Sequence, residues 1–342
     1  MRRPWLVPLV PLYAAGLALR NLRLRRGSKS ERKLTWPVIS IGNLSTGGSG
    51  KTPLAVTLAK LLKERGIHVD VLSRGYGRTS RESARVDPGG TADQYGDEPL
   101  LIARDTDVPV YVAVQRYDAG MLAEASGSEN ASGQRDASRG PITSAHILDD
   151  GFQHRQLHRI VDILLLNRED WEDTLLPAGN LREPLRAVMR AHVIAIPAED
   201  PGLGAELRRW GWAGPLWRLR RTADVPKVEG PVIAFCGIAR PEQFFSGLEG
   251  AGLYLASRHA FRDHHHYTRG DLDKLFAAAR VAKAAALITT EKDAVRLGSL
   301  ASACSPDLPL QIAKLRTEIE SADAAINWLV ARLAAGESSH PV

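Results

Sequence analysis

Short apolar runs and amphipathic stretches alternate along most of this 342-residue chain. In the first part, runs rich in Val, Ile and Leu lie at 38–42, 68–73, 108–114, 145–148, 160–166 and 192–196. Stretches with helical spacing lie between them at 54–62, 99–104 and 117–125. Because buried strands joined by helices are typical of a parallel sheet covered on both faces, this part is predicted to be an α/β domain.

A second alternating series occupies the C-terminal third of the chain. Its strand-like runs lie at 232–235, 254–256, 286–289 and 310–313, and its helical stretches at 241–248, 270–282 and 322–335. The residues before it, 197–228, carry three Trp and a weak strand at 216–220, which indicates a passage between domains. Since 342 residues exceed the size of one ordinary hydrophobic core, two domains are expected. The predicted division is an N-terminal segment (1–33), a first domain (34–196), a linker (197–228) and a second α/β domain (229–342).

The N-terminal segment combines an apolar run with basic residues. Residues 5–19 would form a helix roughly 22 Å long, shorter than the roughly 30 Å of a bilayer's hydrocarbon core. The two prolines in this run place the helix start near Pro11, and Gly27 ends the helix after Arg26. This pattern predicts a monotopic membrane-associating helix. A helix packed on the protein's own core and a secretory signal peptide are the alternatives.

The net charge of +6 is concentrated in the same segment. Residues 1–33 contain nine Lys or Arg and one acid, so the remaining residues carry a net charge of −2. The body of the protein is therefore not expected to bind nucleic acid, whereas the basic segment suits an anionic membrane surface. Cys236 and Cys304 provide neither a disulfide framework nor metal-ligand spacing, which indicates a reducing compartment. Residues 126–141 are small and polar, so a flexible surface insertion is predicted there.

A glycine-rich loop follows the first strand-like run and precedes a helical stretch. The loop has the composition of a phosphate-binding loop in Gly47, Gly48, Ser49, Gly50, Lys51 and Thr52. Backbone N–H groups in such a loop converge on a polyphosphate, Lys51 reaches the β- and γ-phosphates, and the Thr52 hydroxyl coordinates Mg²⁺. Ser45 stands where the strict spacing has glycine, and an ordinary Gly/Ser turn is the alternative. The loop predicts a nucleoside triphosphate as ligand.

Two acids, Asp149 and Asp150, follow the strand-like run at 145–148. Carboxylates at the carboxyl end of a parallel strand point into the crevice where a phosphate loop opens, and there they can hold Mg²⁺ or its waters. A common Asp-Asp-Gly turn is the alternative. Together with the loop, these acids predict a magnesium site.

Proton-transfer groups are the third element of the predicted site. Asp97 begins a helical stretch, where it serves either as an N-cap or as the base that takes a proton from an acceptor hydroxyl. Consecutive histidines at 264–266 cannot all face one ion, so structural zinc is not expected there. The remaining interpretations of these histidines are one catalytic imidazole from the second domain or a solvated loop.

These motifs together resemble the tetraacyldisaccharide 4'-kinase family of lipid A synthesis. The resemblance extends from the N-terminal segment to about residue 297 and rests on the residues at 42–53, 73–78, 96–99, 149–154, 179–184, 261–265 and 290–295. It implies transfer of the γ-phosphoryl of ATP to the 4'-hydroxyl of a tetraacylated glucosamine disaccharide 1-phosphate, at the cytoplasmic face of the inner membrane. It also implies a P-loop α/β/α sandwich joined to a second, smaller α/β/α domain by a two-stranded linker.

The resemblance also implies roles for individual residues. Lys51 and Thr52 serve the phosphates and Mg²⁺, with Asp149, Asp150 and Glu183 as further metal-site residues. Asp97 is the general base, assisted by His264 in preference to His265. The cleft that binds substrate and nucleotide is lined by Tyr76, Arg116, Gln153 and His154. Asn167 stands where the family more often has Asp and is assigned no role.

Two other functions are compatible with parts of the sequence. A membrane-associated P-loop ATPase switch would need neither Asp97 nor a second domain that carries a histidine. A peripheral scaffold with a degenerate nucleotide site would account for Ser45. The sequence gives no indication of the oligomeric state.

Overall fold

The computed structural model describes residues 3–25, 31–48, 50–131 and 143–336. Among these residues, twelve strands form one continuous sheet in the order β10-β9-β11-β12-β8-β7-β6-β1-β5-β2-β4-β3. The strands are β1 Val38–Asn43, β2 His68–Ser73, β3 Ala84–Arg85, β4 Val110–Val112, β5 Ser144–Leu148, β6 Val161–Leu165, β7 Val193–Pro197, β8 Leu216–Asp224, β9 Pro231–Cys236, β10 Tyr254–Ala260, β11 Ala286–Thr290 and β12 Leu310–Ile319.

Helices cover the sheet and connect its strands. They are α1 Val10–Arg25, α2 Lys51–Glu64, α3 Ala92–Tyr95, α4 Asp97–Asp105, α5 Arg116–Ala131, α6 Arg168–Trp171, α7 Pro201–Arg209, α8 Pro241–Gly250, α9 Arg269–Ala282, α10 Glu291–Leu297 and α11 Ala322–Ala335. Short 3₁₀ helices occupy Pro4–Leu9, Leu185–Arg190 and Gly298–Ala303. The predicted α/β class is confirmed.

The sheet consists of two parallel parts that meet at an antiparallel pair. In the first part β4, β2, β5, β1, β6, β7 and β8 run parallel, and in the second β10, β9, β11 and β12 run parallel. β12 pairs with β11 in parallel register through 310–313. It then pairs with β8 in antiparallel register through 314–319. The two-stranded linker that the resemblance implies stays a prediction, since β8 lies within the predicted linker at 197–228 but β12 lies outside it. Contacts between α4 and α10 bring the two parts face to face at the carboxyl ends of β5 and β11.

Five buried clusters form the core, three in the first part and two in the second. Helix α11 belongs to the largest cluster of the first part, because its apolar face packs there through Ile326, Leu329 and Leu333. The sequence places this helix in the second domain, so the chain crosses back between the two parts. The division into domains stays a prediction.

The passage predicted at 197–228 is more regular than expected. It contains α7, and the strand predicted at 216–220 is present as the first part of β8, which extends to Asp224. The insertion predicted at 126–141 is helical as far as Ala131, where α5 ends, and its other residues lie outside the described ones. Asn167 caps α6, since its Oδ1 accepts a hydrogen bond from the backbone N–H of Asp170 at 2.8 Å.

The N-terminal helix presents its apolar side chains to solvent. Trp5 is 75% exposed and Leu12 is 74% exposed, while Leu17 is buried. Among the described residues, one helical stretch, Pro4–Leu22, has the length and apolar composition of a membrane span, and 6% of it is buried. The helix is therefore not packed within the core, which was one alternative. The predicted end of the helix at Arg26 and Gly27 lies outside the described residues.

Candidate active site

The glycine-rich loop lies between β1 and α2, where the sequence predicts it. Gly47 has φ +125° and Gly50 has φ +88°, conformations that residues with a Cβ rarely adopt. Lys51 opens α2, with its Nζ 3.1 Å from Asn43 Oδ1 and 3.6 Å from Asp150 Oδ1. Thr52 is buried in the first turn. Ser49 of the predicted loop lies outside the described residues.

Ser45 does not need to be glycine, because the loop leaves β1 in an extended course at this position. It forms an antiparallel bridge with Leu181, and its Oγ accepts a hydrogen bond from Asn43 Nδ2 at 3.1 Å. Gly42 is required for close packing, since a Cβ there would lie 2.5 Å from the Cβ of Phe152. The deviation from the strict motif therefore leaves the turn intact.

Asp149 and Asp150 lie at the end of β5 beside this loop. Asp149 is buried, and its Oδ1 has no hydrogen-bond partner among the described residues. Burial, together with the charges of Glu98 and Asp150, raises the pKa of Asp149 to about 7. Asp150 accepts hydrogen bonds from Arg182 at 3.1 and 3.2 Å. Burial would raise the pKa of Asp150, but the charges of Lys51 and Arg182 outweigh burial and lower it.

This donor set fits a magnesium ion that shares its coordination with phosphates. Mg²⁺ in such sites binds through one or two carboxylates, substrate phosphates and waters, not through a cage of protein ligands. The free oxygen of Asp149 and the Thr52 hydroxyl are hard donors of this kind. Glu183 is engaged elsewhere, because its oxygens accept hydrogen bonds from Arg190 at 2.7 and 3.3 Å. Its predicted role at the metal therefore has no support in these contacts and stays a prediction.

Residues from both parts form the other side of the site, because Asp97 belongs to the first part and His264 and Arg296 belong to the second. Asp97, buried at the start of α4, has its Oδ2 3.1 Å from His264 Nδ1 and 2.7 Å from Arg296 Nε. Burial would raise the pKa of Asp97, but the hydrogen bond with His264 and the charge of Arg296 lower it well below its usual range. The same hydrogen bond raises the pKa of His264. The pair can take up and hold a proton.

The neighbouring histidines have other partners. His265 Nε2 is 3.1 Å from Asp271 Oδ2, and its ring stacks on Phe261 at 4.7 Å. His266 is exposed, with its Nδ1 3.9 Å from Asp93. Of the three, His264 is the one placed against Asp97, and its φ of +57° turns the loop toward that carboxylate.

Two cations on α10 were not predicted from the sequence as site residues. Lys292 donates to Glu98 Oε1 at 2.5 Å, and Arg296 contacts Asp97 as described. Arg296 also donates to Asp293 Oδ1 at 3.0 Å and to the backbone oxygen of Gly237. Their spacing of four residues, which places both on one face of a helix, is the sequence signal that was available.

The residues predicted to line the substrates lie around this centre. The Tyr76 ring is 65% exposed and contacts the His264 ring edge at 5.4 Å between centroids. Gln153 donates to the backbone oxygen of Asn43 at 2.8 Å, and its own Oε1 is buried without a partner among the described residues. Burial lowers the pKa of Arg116, which neighbours Asp150. Burial, aided by the Arg116 charge, lowers the pKa of His154 to about 4.

The N-terminal helix touches the same region. The Tyr13 hydroxyl donates to the backbone oxygen of Arg182 at 3.1 Å, and the Arg3 N–H donates to the backbone oxygen of Ala178 at 2.6 Å. Arg182 in turn binds Asp150. The exposed apolar helix therefore lies next to the predicted metal site.

Comparison with known proteins agrees with this geometry. A sequence profile described as Tetraacyldisaccharide-1-P 4'-kinase matches residues 2–334. The tetraacyldisaccharide 4'-kinase of Koribacter versatilis (strain Ellin345) is 38% identical over 334 residues, covering 94% of this chain and 97% of the relative. That of Aeromonas hydrophila subsp. hydrophila is 36% identical over 312 residues, covering 87% of this chain and 84% of the relative.

A solved structure is similar over nearly the whole chain. The crystal structure of "apo" form LpxK from Aquifex aeolicus in complex with ATP superposes with a TM-score of 0.70 and 31% identity, covering 96% of this chain and 98% of that one. The resemblance predicted from the sequence is thereby confirmed. The chain therefore belongs to the tetraacyldisaccharide-1-P 4'-kinase family.

Proposed function

We propose that this chain transfers the γ-phosphoryl group of ATP to the 4'-hydroxyl of a tetraacylated glucosamine disaccharide 1-phosphate, in the synthesis of lipid A. The observation that carries the proposal is the Asp97–His264 pair, in which an imidazole from the second part of the sheet lies 3.1 Å from a carboxylate of α4 in the first part, the part that also carries the phosphate loop. An ATPase switch would have no use for such a pair. The family membership supports the same activity.

The phosphate side of the site binds and orients ATP. Backbone N–H groups of Gly47, Gly48 and Gly50 would surround the phosphates, and Lys51 would add a positive charge. Asp149 and Asp150 would hold Mg²⁺ together with Thr52. When bound, the ion neutralises charge on the β- and γ-phosphates.

The proton side prepares the acceptor. The 4'-hydroxyl gives its proton to the Asp97–His264 pair while its oxygen attacks the γ-phosphorus. Before the transfer Asp97 is ionised because His264 and Arg296 stabilise its charge, and that carboxylate orients the imidazole. The two residues therefore act as one unit in which Asp97 is the base and His264 shares the proton.

The surrounding residues bind the remainder of both substrates. Arg116 provides a cation suited to an anionic phosphate group, and Tyr76, Gln153 and His154 provide an aromatic face and hydrogen-bonding atoms. Residues 34–196 and 229–342 are proposed as the two domains that supply the two sides, joined through 197–228.

The N-terminal helix would meet the substrate where it resides. A disaccharide with four acyl chains lies in a membrane, and the exposed apolar side chains of α1 would enter the bilayer surface beside the metal site. Arginines of the same segment would bind anionic headgroups. The protein is accordingly proposed to lie on the cytoplasmic face of the inner membrane, where ATP is present.

The test is phosphate transfer from radiolabelled ATP to the purified disaccharide lipid in detergent with Mg²⁺. We expect a labelled lipid and ADP in equal amounts, and ADP formation that depends on the lipid. If ADP forms equally fast without lipid, the chain is an ATPase switch. If neither product forms although ATP binds, the chain is a scaffold with a nucleotide site.

A further inference from the structure

Lys292 forms an ion pair next to the one between Arg296 and Asp97. Its Nζ contacts Glu98 on α4, and one turn later on α10 Arg296 contacts Asp97. Adjacent acids of α4 thus face two cations on one side of α10. Arg296 is fully engaged and only 5% exposed, whereas the side chains of Lys292 and Glu98 are 26% and 27% exposed. Lys292 can therefore reach a ligand in the cleft.

Lys292 also acts on Glu98 through its charge. It is the main cause of the lowered pKa of Glu98, and Lys51 of the phosphate loop acts on that group in the same direction. Glu98 is thus acted on by the charge of one lysine from each part of the protein.

We propose that Lys292 is a catalytic residue whose ammonium group moves from Glu98 to the oxygens of the phosphoryl group during its transfer. The inference rests on the proposed kinase function. In that step the acceptor oxygen bonds to the γ-phosphorus while the bond to the β–γ bridging oxygen breaks. The bridging electron pair leaves with ADP, and the hydroxyl proton goes to the Asp97–His264 pair. Negative charge on the transferring group is where a fixed cation accelerates phosphoryl transfer most.

The competing role for Lys292 is a simple ion pair that holds α10 against α4. In that case Lys292→Met and Glu98→Gln remove the same interaction and must have the same effect, as must the double variant. A cation that binds the phosphoryl group predicts a different order. Loss of Lys292 must then be far more damaging than loss of Glu98, which serves only as its resting partner.

The experiment measures kcat for lipid phosphorylation and the dissociation constant for ATP in the wild type and in Lys292→Met, Lys292→Arg, Glu98→Gln and the double variant. For Lys292→Met we expect kcat to fall about 100-fold or more with ATP affinity within about threefold of the wild type. Lys292→Arg keeps the charge, so its kcat should be about tenfold higher than that of Lys292→Met. The kcat of Glu98→Gln should be less than about tenfold below that of the wild type. Lys274→Met, at an exposed lysine on α9, is the matched control. Thermal melting establishes that each variant is folded.

Equal losses in both single variants and the double variant would reduce Lys292 to an ion-pair partner. A turnover of Lys292→Met within about threefold of the wild type would also overturn the inference. In both cases the wild type still phosphorylates the lipid, so the proposed function stands. Absence of transfer by the wild type would instead refute the proposed function itself.

Discussion

At the residue scale, the site depends on a carboxylate that is shared between two partners. Asp97 accepts from Arg296 and is hydrogen-bonded to His264, and these partners hold the pKa of the carboxyl well below its usual range. Asp97→Asn keeps the shape of the side chain but removes the charge that orients the imidazole. We expect kcat to fall about 10²- to 10⁴-fold, the usual contribution of a general base. Initial rates of lipid phosphorylation with saturating ATP measure the loss.

The same substitution should leave ATP binding nearly unchanged, because the phosphate loop makes none of these contacts. Asp93→Asn is the control, since Asp93 is an exposed carboxylate on the neighbouring helix α3. A kcat for Asp97→Asn close to that of the wild type would exclude Asp97 as the base. A collapse of ATP affinity together with kcat would indicate that the buried Arg296 cation, left without its partner, had disturbed the fold.

The sequence predicted the residues whose function is tied to a local motif. Lys51, Thr52 and Asp149 follow apolar strands, and the parallel sheet brings the ends of such strands together. Arg296 has no such signal, because its partner Asp97 lies 199 positions away along the chain. Likewise, the hydrogen bond from Arg190 to Glu183 depends on a 3₁₀ helix that the hydrophobic periodicity does not predict.

At the element scale, the N-terminal helix is the part whose function depends on its surroundings. Trp5 and Leu12 are about three-quarters exposed, so Trp5→Ser/Leu12→Ser should not disturb packing. Transfer of each apolar side chain into a bilayer would contribute roughly 1.5–3 kcal/mol to membrane binding. Loss of both side chains should therefore lower the affinity for vesicles about 100-fold or more. Sedimentation with vesicles that contain anionic phospholipid measures the bound fraction.

Val281→Ser is the control for the helix, because Val281 is 88% exposed on α9, in the second part of the sheet. Phosphorylation of a detergent-solubilised substrate should be retained in Trp5→Ser/Leu12→Ser, since the site residues are untouched. Unchanged vesicle binding by this variant would show that α1 does not enter the membrane surface.

Elements with strong periodicity were predicted well, and those whose pattern changes along their length were not. The helix predicted at 322–335 has the bounds of α11, because its apolar spacing is regular throughout. Strand β12 was predicted only over 310–313, because the charged residues Lys314, Arg316 and Glu318 interrupt the apolar run in its continuation to Ile319. Helix α7 was not predicted in the Trp-containing passage at 197–228. The capping residue Asp200 followed by Pro201 is nevertheless a sequence signal for the start of a helix.

At the scale of the whole molecule, the order of the strands could not be predicted from the sequence. The continuous sheet depends on β12 pairing with β11 and then with β8, and on the chain returning to place α11 on the first core. These pairings join segments far apart in sequence, and two α/β series of similar pattern give no signal for which edges meet. The class followed from local pattern, whereas the topology required the tertiary contacts.

The stability of the whole molecule should depend on a buried ion pair on the two strands that flank the site. His146 on β5 has its Nδ1 2.6 Å from Asp70 Oδ1 on β2, and both are fully buried. Burial lowers the pKa of His146, but the charge of Asp70 and the hydrogen bond with it outweigh burial and raise the pKa to about 9. Because the pKa of an unfolded histidine is about 6.5, the pair's contribution is complete below pH 6.5 and is lost as pH rises through about 9.

The free energy of unfolding, from urea titrations, should therefore decrease by about 3 kcal/mol more between pH 6 and pH 10 in the wild type than in His146→Gln/Asp70→Asn. The double variant removes both titrating groups and keeps polar side chains of similar shape. His266→Gln/Asp93→Asn is the control, since that pair is exposed and its atoms lie 3.9 Å apart. If the wild type and the buried double variant have parallel pH profiles, His146 is not charged in the folded protein. A steeper loss in the wild type would mean that the strands beneath the phosphate loop are held together in part by a protonated histidine.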